Sequence, residues 1–138
     1  MKVYIDTNVL IDYLYYARPN HVEAVTIFTL FKKGLFEASV SAQSVIDASY
    51  VYMNKEKLPR ELFLRAIREM LLYVKIPSID VDNIRFALGS SITDFEDAAQ
   101  IGCAMAARCN LIISSDRKMK NNGLIKVFTP EEFLAKVF

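Results

Sequence analysis

The chain has 138 residues, of which 53% are hydrophobic, and its 17 Lys and Arg side chains nearly balance 16 Asp and Glu side chains. This composition predicts one globular domain, residues 1–138, and excludes a disordered or low-complexity chain. A net charge of +1 excludes nucleic-acid binding through overall positive charge alone, although it leaves room for a local basic rim. The chain has no apolar run of membrane-spanning length. Its cysteines, Cys103 and Cys109, form no metal-ligand or disulfide pattern, so we expect a reduced, cytoplasmic setting.

In chain order, the first half of the sequence alternates short apolar strands with amphipathic helices. Residues 2–5 predict a buried strand and residues 7–16 a helix, after which Pro19 interrupts the chain. A helical pattern at residues 21–33 ends at Gly34. The next predicted elements are a strand at residues 36–41, a helix at 42–54, a helix with Pro59 in its first turn and a strand at 74–79.

The second half continues the same alternation. Residues 80–88 predict a short helix, with Asp80 and Asp82 as its caps. Thr93 and Glu96 form a capping-box pair, which predicts the start of a helix that is rich in small residues. The remaining predicted elements are strands at residues 111–114 and 126–128 and a final helix that begins at Thr129-Pro130. This order predicts a three-layer α/β/α fold with a central, mostly parallel five-stranded sheet.

Acidic residues stand at the same edge of this predicted sheet. Asp6 directly follows the first strand, and Asp116 follows the fourth. Asp94 and Asp97 lie in the first turn of the helix before the fourth strand, and Asp47 lies in the early turns of the helix after the second. Because ligands of parallel sheets bind outside the carboxyl ends of the strands, the sequence predicts a carboxylate cluster there.

Such a cluster is electrostatically unfavourable by itself. Two carboxylates about 4 Å apart repel each other by roughly 4 kcal/mol at an effective dielectric constant near 20. A helix N-terminus returns only about 0.3–1 kcal/mol per acid. Clustered acids therefore share protons or bind a cation, and an all-oxygen site suits Mg²⁺ or Mn²⁺. A zinc site is not expected, because the chain has a single histidine.

Each acid also has a purely structural explanation. Asp6 is a suitable cap for the first helix, and Asp116 is a suitable residue to close a turn after its strand. Asp94 and Asp97 favour the dipole of their helix, and Asp47 fits a helix-start signal. The argument for a functional site therefore depends on the prediction that all of these acids lie at the same edge of the sheet.

Polar residues accompany these acids. Thr7 and Asn8 follow Asp6, and Ser114 lies at the end of the fourth strand. Their side chains are suited to orient a carboxylate or a water molecule, with helix capping as the alternative role of Thr7. Asp12, by contrast, is predicted to be a solvated helix residue.

The ordered segments Asp6-Thr7-Asn8, Ser41 to Asp47, Asp94 to Asp97 and Ser114-Ser115-Asp116 resemble the PIN domain family over essentially the whole chain. The size resembles the VapC-type toxins of toxin–antitoxin pairs. This resemblance implies a Mg²⁺- or Mn²⁺-dependent ribonuclease, usually a homodimer, that is inhibited by a small antitoxin whose tail enters the site. By position, the four family acids correspond to Asp6, Asp47, Asp97 and Asp116, with Asp94 as an extra neighbour. The implied metal ligands are Asp6, Asp97 and Asp116, with Asp47 completing the site.

The chain departs from the family pattern at several positions. The second acid is commonly Glu, and Asp47 is one methylene shorter. Ser114-Ser115-Asp116 replaces the usual Thr-x-Asp, and Met119 replaces an aromatic residue. A degraded PIN-like binding module that acts through a protein partner therefore stays open as an alternative. A second alternative is an aspartyl-phosphate phosphatase, although Asn8 stands where those enzymes usually carry a second Asp.

Two further groups of residues are candidates for contacts with partners. For each of them, a solvated surface or core packing is at least as good an explanation. The candidate contacts to an RNA backbone are Lys55, Lys57, Arg60, Arg117, Lys118 and Lys120. The candidate interface aromatics are Tyr13, Tyr15, Tyr16, Phe28 and Phe31.

Overall fold

A computed structural model describes residues 1–138 and contains one sheet and seven α-helices. The strands are β1 Lys2–Ile5, β2 Glu37–Val40, β3 Val74–Lys75, β4 Leu111–Ile113 and β5 Lys126–Phe128. The helices are α1 Thr7–Leu14, α2 His21–Lys32, α3 Ala42–Tyr50, α4 Arg60–Met70, α5 Val81–Gly89, α6 Phe95–Ala106 and α7 Pro130–Val137. All neighbouring strands are parallel, in the order β3-β2-β1-β4-β5. The predicted fold class is confirmed.

Alternate residues of the central strand β1 face two different hydrophobic layers. Val3 and Ile5 belong to a cluster of 20 buried residues that includes side chains of α1, α2, α3, α4 and α7. Tyr4 belongs to a smaller cluster with residues of α6, and α5 packs against α6. Because side chains alternate along a strand, this pattern puts helices on both faces of the sheet.

The strand order creates a switch point between β1 and β4. From β1 the chain builds outward through β2 to β3 and then returns to the other side of β1 as β4. The connections that leave β1 and β4 therefore diverge at the carboxyl ends of these strands. Doubly wound sheets bind ligands in the crevice that forms at such a point. Asp6 begins one of these connections, and its backbone N–H donates to the carbonyl of Ile113 at 3.0 Å.

Several predicted helix ends are confirmed, because capping is a local interaction. Thr129 caps α7 in a full capping box with Glu132, and Asp80 caps α5 in another. Gly34 follows α2 with a φ of +75°, a conformation that glycine adopts without strain. The predicted Thr93 capping box is wrong: α6 begins at Phe95, and its cap is Asp94.

Other boundaries differ from the prediction for identifiable reasons. The predicted strand at 74–79 is reduced to β3, since Pro77 has no N–H to donate to a ladder. The predicted helix at 42–54 ends as an α-helix at Tyr50 and continues as a π-helical turn, Val51–Lys55. Pro59 precedes α4 as its cap residue instead of lying inside the first turn. None of the helices is both long and apolar enough to span a membrane.

The prediction that Asp12 is solvated is wrong. Asp12 is 3% exposed, and Arg18 Nε donates to its Oδ1 at 2.9 Å. The ring nitrogen Nδ1 of His21 lies 2.8 Å from the backbone carbonyl oxygen of Asp12. The helical period of α1 did not reveal this burial, because the cation comes from the loop beyond the helix.

The predicted aromatic patch is mostly core. Phe28 and Phe31 are buried, and Tyr13 stacks on Phe28 with 4.0 Å between ring centroids. Tyr16 is the exposed member. Core packing, the alternative role of these residues, therefore accounts for most of the patch.

Candidate active site

Asp6 lies at the junction of β1 and α1 and is 8% exposed. It caps α1, and its Oδ1 accepts from the backbone N–H of Thr7 at 2.8 Å. Its Oδ2 accepts from the hydroxyl of Ser114 at 2.7 Å and from Asn8 Nδ2 at 3.3 Å. Burial raises the pKa of Asp6, the hydrogen bonds from Ser114 and Thr7 oppose that shift, and the charge of Asp116 adds to it. The carboxyl group is thus held in one orientation, with no cation hydrogen-bonded to it.

Asn8 and Ser114 connect the ends of β1 and β4. Asn8 Nδ2 lies 3.4 Å from Ser114 Oγ, and Asn8 Oδ1 accepts from the backbone N–H of Ser115 at 3.1 Å. Ser114 is fully buried, and its Oγ also accepts from the backbone N–H of Asp116 at 3.0 Å. These bonds position the turn that carries Asp116. Asp116 in turn caps a 3₁₀ turn, Arg117–Asn121, so its capping role and its place near Asp6 coexist.

The N-terminus of α6 adds two more acids. Asp94 caps the helix by accepting from the backbone N–H of Asp97 at 3.0 Å. Desolvation, followed by the charges of Asp94, Asp116 and Asp6, raises the pKa of Asp97 to about 7. Lys118 opposes this shift only weakly, and its Nζ stands 4.0 Å from Asp94 Oδ2. The structure therefore brings Asp6, Asp94 and Asp116 close enough to Asp97 for their charges to raise its pKa.

Glu96 is an acid that sequence reasoning missed. It was assigned to a capping box, yet desolvation and the charges of Asp47, Asp6 and Asp94 raise the pKa of its carboxyl group. Asp47 therefore lies close enough to Glu96 for its charge to contribute to this raised pKa. Gln43 Nε2 donates to Asp47 Oδ1 at 2.9 Å. The available signal was the position of Glu96 in the first turn of a helix that begins at the carboxyl edge of the sheet.

These six carboxylates are called the acidic edge below. Its members are Asp6, Asp47, Asp94, Glu96, Asp97 and Asp116. Their oxygen ligands suit a hard divalent cation. The pKa of Asp97 is raised first by desolvation and then by neighbouring carboxylates, and a bound cation would oppose both effects. As the side chains stand, no three His, Cys, Asp or Glu residues form a group that could hold a metal ion. The donor chemistry fits, and the set of metal ligands stays a prediction.

A cavity of about 600 Å³ adjoins the acidic edge. Seven of its nine lining residues are polar or charged, and they include Asp94 and Asp97 but not Asp6 or Asp116. The other lining residues are Ser91, Ile92, Thr93, Lys118, Met119, Asn121 and Asn122. The volume is in the range of ordinary ligand sites, and two of the acids form part of the cavity wall.

The candidate RNA-contacting cations differ in their availability. Lys118 is exposed beside the cavity, and Arg117 precedes it in the same 3₁₀ turn. Lys120 pairs with Glu132 and is therefore engaged within the protein. Lys55, Lys57 and Arg60 are exposed in and after the π-helical turn that follows α3.

Comparisons with known proteins bear on the family and the fold of this chain. A family model described as PIN domain matches residues 2–118. The chain is 26% identical over 137 residues to ribonuclease VapC1 of Aquifex aeolicus, a match that covers 96% of this chain and 92% of the relative.

Solved structures are similar at lower identity. The Mycobacterium tuberculosis toxin VapC20, which cleaves the sarcin-ricin loop, superposes with a TM-score of 0.71 at 13% identity, over 91% of this chain and 98% of that one. A toxin–antitoxin complex from Klebsiella pneumoniae gives a TM-score of 0.65 at 22% identity, over 93% and 97% of the two chains. At such identities the structures show a shared fold.

Proposed function

This chain belongs to the PIN domain family, and from that premise we propose that it is a metal-dependent endoribonuclease that hydrolyses RNA phosphodiester bonds. The proposal depends chiefly on one observation. Acids from separate elements meet at one edge of the sheet, where burial and neighbouring carboxylates raise the pKa of Asp97 to about 7. Acids arranged in this way lower the stability of the protein without a cation, because they repel one another. A cation bound between them removes that repulsion. The similarity to ribonuclease VapC1 of Aquifex aeolicus supports the same activity.

The residues proposed to hold Mg²⁺ or Mn²⁺ are Asp6, Asp97 and Asp116, with Asp47 completing the set. When bound, the ion supplies Lewis-acid polarisation of the phosphate and a nucleophilic water. Asp6 contributes a carboxylate that is already oriented by Ser114 and Asn8, so little conformational freedom is lost on binding. Asp94 and Glu96 add negative charge around this set and strengthen its attraction for a cation.

The basic residues beside the cavity are proposed to receive the RNA backbone. Lys118 is exposed at the cavity wall and lies near Asp94, so it stands at the border between acidic and basic surface. A phosphate at this border would meet the lysine ammonium, and the acids would have their charge neutralised by the divalent ion that they hold. This local arrangement is how we propose that a chain with a net charge of only +1 binds RNA.

The direct test is cleavage of single-stranded RNA by purified protein with Mg²⁺ or Mn²⁺ and with chelator. We expect cleavage that requires the divalent ion and disappears in Asp97→Asn. Asp82→Asn is the matched control, because this acid is exposed on α5 away from the acidic edge, and we expect it to cleave normally. Equal cutting by wild type and Asp97→Asn would contradict the proposal and indicate a contaminating nuclease.

We further propose that the nuclease is the toxin of a type II toxin–antitoxin pair. Its partners are a small antitoxin and a second copy of this chain, and residues 1–138 form a single nuclease domain that acts in the cytoplasm. The similarity to VapC proteins and to a toxin–antitoxin complex supports this assignment. A short reading frame for a DNA-binding protein beside this gene is the expected genomic signature.

Expression of the protein in cells tests whether the nuclease is a toxin or a housekeeping enzyme. We expect induction of the wild type to stop growth, co-expression of the neighbouring short protein to restore it, and Asp97→Asn to be harmless. Light scattering after gel filtration measures the expected homodimer. Growth that is unaffected by active wild-type protein would remove the toxin assignment and leave the ribonuclease.

Two observations favour a second candidate function, a PIN-like binding module with a degraded site. Asp47 has a shorter side chain than the Glu usual in the family, and no three acids are grouped closely enough to hold an ion. Manganese binding without RNA cleavage, together with tight binding of the neighbouring short protein, would favour this module over the nuclease.

A further inference from the structure

A buried chain of polar side chains lies behind the acidic edge. The hydroxyl of Tyr4 donates to Gln100 Oε1, and Gln100 Nε2 donates to Ser44 Oγ at 3.3 Å. Ser44 Oγ lies 3.0 Å from Ser41 Oγ, which donates to it, and 2.7 Å from Thr7 Oγ1. Tyr4 and Ser44 are fully buried, and Gln100 is 2% exposed. These five residues, called the Gln100 network, join β1, α1, α3 and α6.

The hydrogen-bond inventory assigns a direction to this network. Ser44 Oγ accepts from Gln100 Nε2 and from Ser41 Oγ, so both of its acceptor positions are used. Its one proton must therefore be donated to Thr7 Oγ1. Thr7 makes no other side-chain hydrogen bond in the protein, so its own hydroxyl proton is free for a ligand.

Three members of the network stand close in the chain to residues of the acidic edge. Gln100 stands one turn after Asp97 on α6, and Ser44 stands one turn before Asp47 on α3. Thr7 immediately follows the acid at the end of β1. Because residues three apart on a helix share a face, a tie between Gln100 and Ser44 also fixes the separation of the two acids.

The surroundings make this polar network costly. Tyr4 packs in one hydrophobic cluster with Ile101 and Ile112, both of which are fully buried. A buried polar group must be hydrogen-bonded, and a partly satisfied network is worse than an apolar core. Apolar side chains would fill this space without the free-energy cost of an unsatisfied polar group. Stability alone therefore does not account for the network.

We propose that Gln100 and Ser44 are positioning residues for the acidic edge and that, through Ser44, they turn the Thr7 hydroxyl proton toward an RNA phosphate. Gln100 holds the N-terminal half of α6 against α3, and Ser44 supplies the directed hydrogen bond. Thr7 is the member that contacts substrate. This inference rests on the proposed nuclease function and assigns residues that lie outside its set of acids.

The first experiment compares Ser44→Ala and Gln100→Leu with the wild type at saturating RNA. We expect kcat to fall about 10-fold or more in each, the size seen when partners behind a metal ligand are lost. Folding is checked by circular dichroism at the assay temperature. Asn83→Ala is the matched control, since Asn83 is 4% exposed and completes the α5 capping box away from the acids. We expect it to lower the melting temperature and keep kcat within about two-fold.

The second experiment is a double-mutant cycle between Ser44→Ala and Thr7→Val. If Ser44 acts by orienting Thr7, the double variant loses no more kcat than the larger single loss, because both remove the same interaction. Independent structural effects would instead multiply. Multiplying losses, or a folded Ser44→Ala with the kcat of the wild type, would overturn the inference.

A third measurement does not depend on activity. In ¹⁵N spectra, the side-chain amide of Gln100 should exchange slowly with solvent in the wild type and faster in Ser44→Ala. Fast exchange in the wild type would contradict the network. If the wild type cleaves RNA and folded Ser44→Ala has the same kcat, only this inference is contradicted. A wild type that cleaves no RNA defeats the proposed function and this inference with it.

Discussion

The two ends of α1 carry buried carboxylates in opposite surroundings. Asp12, near the C-terminal end, is 3% exposed and has a cation, because Arg18 Nε lies 2.9 Å from its Oδ1. Asp6, at the N-terminal end, is 8% exposed, and the charge that contributes to its raised pKa is that of another carboxylate, Asp116. A buried acid with its own cation has its charge compensated within the folded chain. A buried acid among acids is useful only when a ligand brings the cation, and this contrast distinguishes structural from functional carboxylates in this chain.

The largest expected effect is the loss of activity in Asp6→Asn with activity retained in Asp12→Asn. We expect RNA cleavage to fall by more than about 100-fold in the first variant, since even outer partners of a metal site contribute about 10–100-fold. The second should keep the kcat of the wild type for each folded molecule. Cleavage rates normalised to folded protein make the comparison. Equal losses in both would erase the distinction between the two ends of α1.

The next effect is stabilisation by a divalent cation. Mn²⁺ at about 100 times its dissociation constant should stabilise the wild type by about 2.7 kcal/mol, because it binds only the folded protein. Asp6→Asn should lose this response, and Asp12→Asn should retain it. Thermal unfolding with and without Mn²⁺ measures the difference. A full response in Asp6→Asn would exclude Asp6 as a ligand.

Removal of the structural cation should destabilise the protein at the other end of the helix. Arg18→Met leaves Asp12 buried without its partner, and breaking a buried pair costs about 3–5 kcal/mol. Since 30% of the Arg18 side chain is exposed, we expect about 1–3 kcal/mol in the free energy of unfolding. Urea unfolding of Arg18→Met and Asp12→Asn tests this, and the arginine variant should be the less stable of the two.

The smallest effect concerns pH. In the folded protein the pKa of Asp97 is raised from 3.8 to about 7, so the unfolded chain ionises this group first. As pH rises from about 4 to 7 the wild type therefore loses stability that Asp97→Asn does not lose. In the presence of chelator, we expect the melting temperature of Asp97→Asn, relative to that of the wild type, to increase as the pH rises from about 4 to 7. Above pH 7 the difference should stay constant. A gain that is the same at pH 4 and pH 8 would contradict the assignment.

Much of the fold was predictable because its signals are local. The Thr129-Pro130 start of α7 and the Gly34 end of α2 depend on a few neighbouring residues, and both predictions are confirmed. Boundaries failed where two local signals competed. Thr93 and Asp94 were both suitable caps for α6, and the structure uses Asp94 because its carboxylate reaches the backbone N–H of Asp97.

The candidate site was predictable in outline for a different reason. A parallel sheet brings the carboxyl ends of all its strands to one edge, so the order of elements alone implied that Asp6 and Asp116 are neighbours. Sequence reasoning missed Glu96, whose carboxyl lies near Asp47 and Asp6. The position of Glu96 in the sequence fits either helix capping or membership of the acidic edge. Only the direction of its side chain distinguishes these two roles.

The amino-acid sequence by itself determined the alternation of strands and helices and the delivery of acids to one edge of the sheet. Those properties follow from hydrophobic period, capping and chain order, which act over a few residues or through topology. The tertiary structure alone decided that Arg18 neutralises Asp12 and that Gln100 reaches Ser44, 56 positions away along the chain. Such pairings depend on distances of a few ångströms between distant residues, and those distances exist only once the layers have packed.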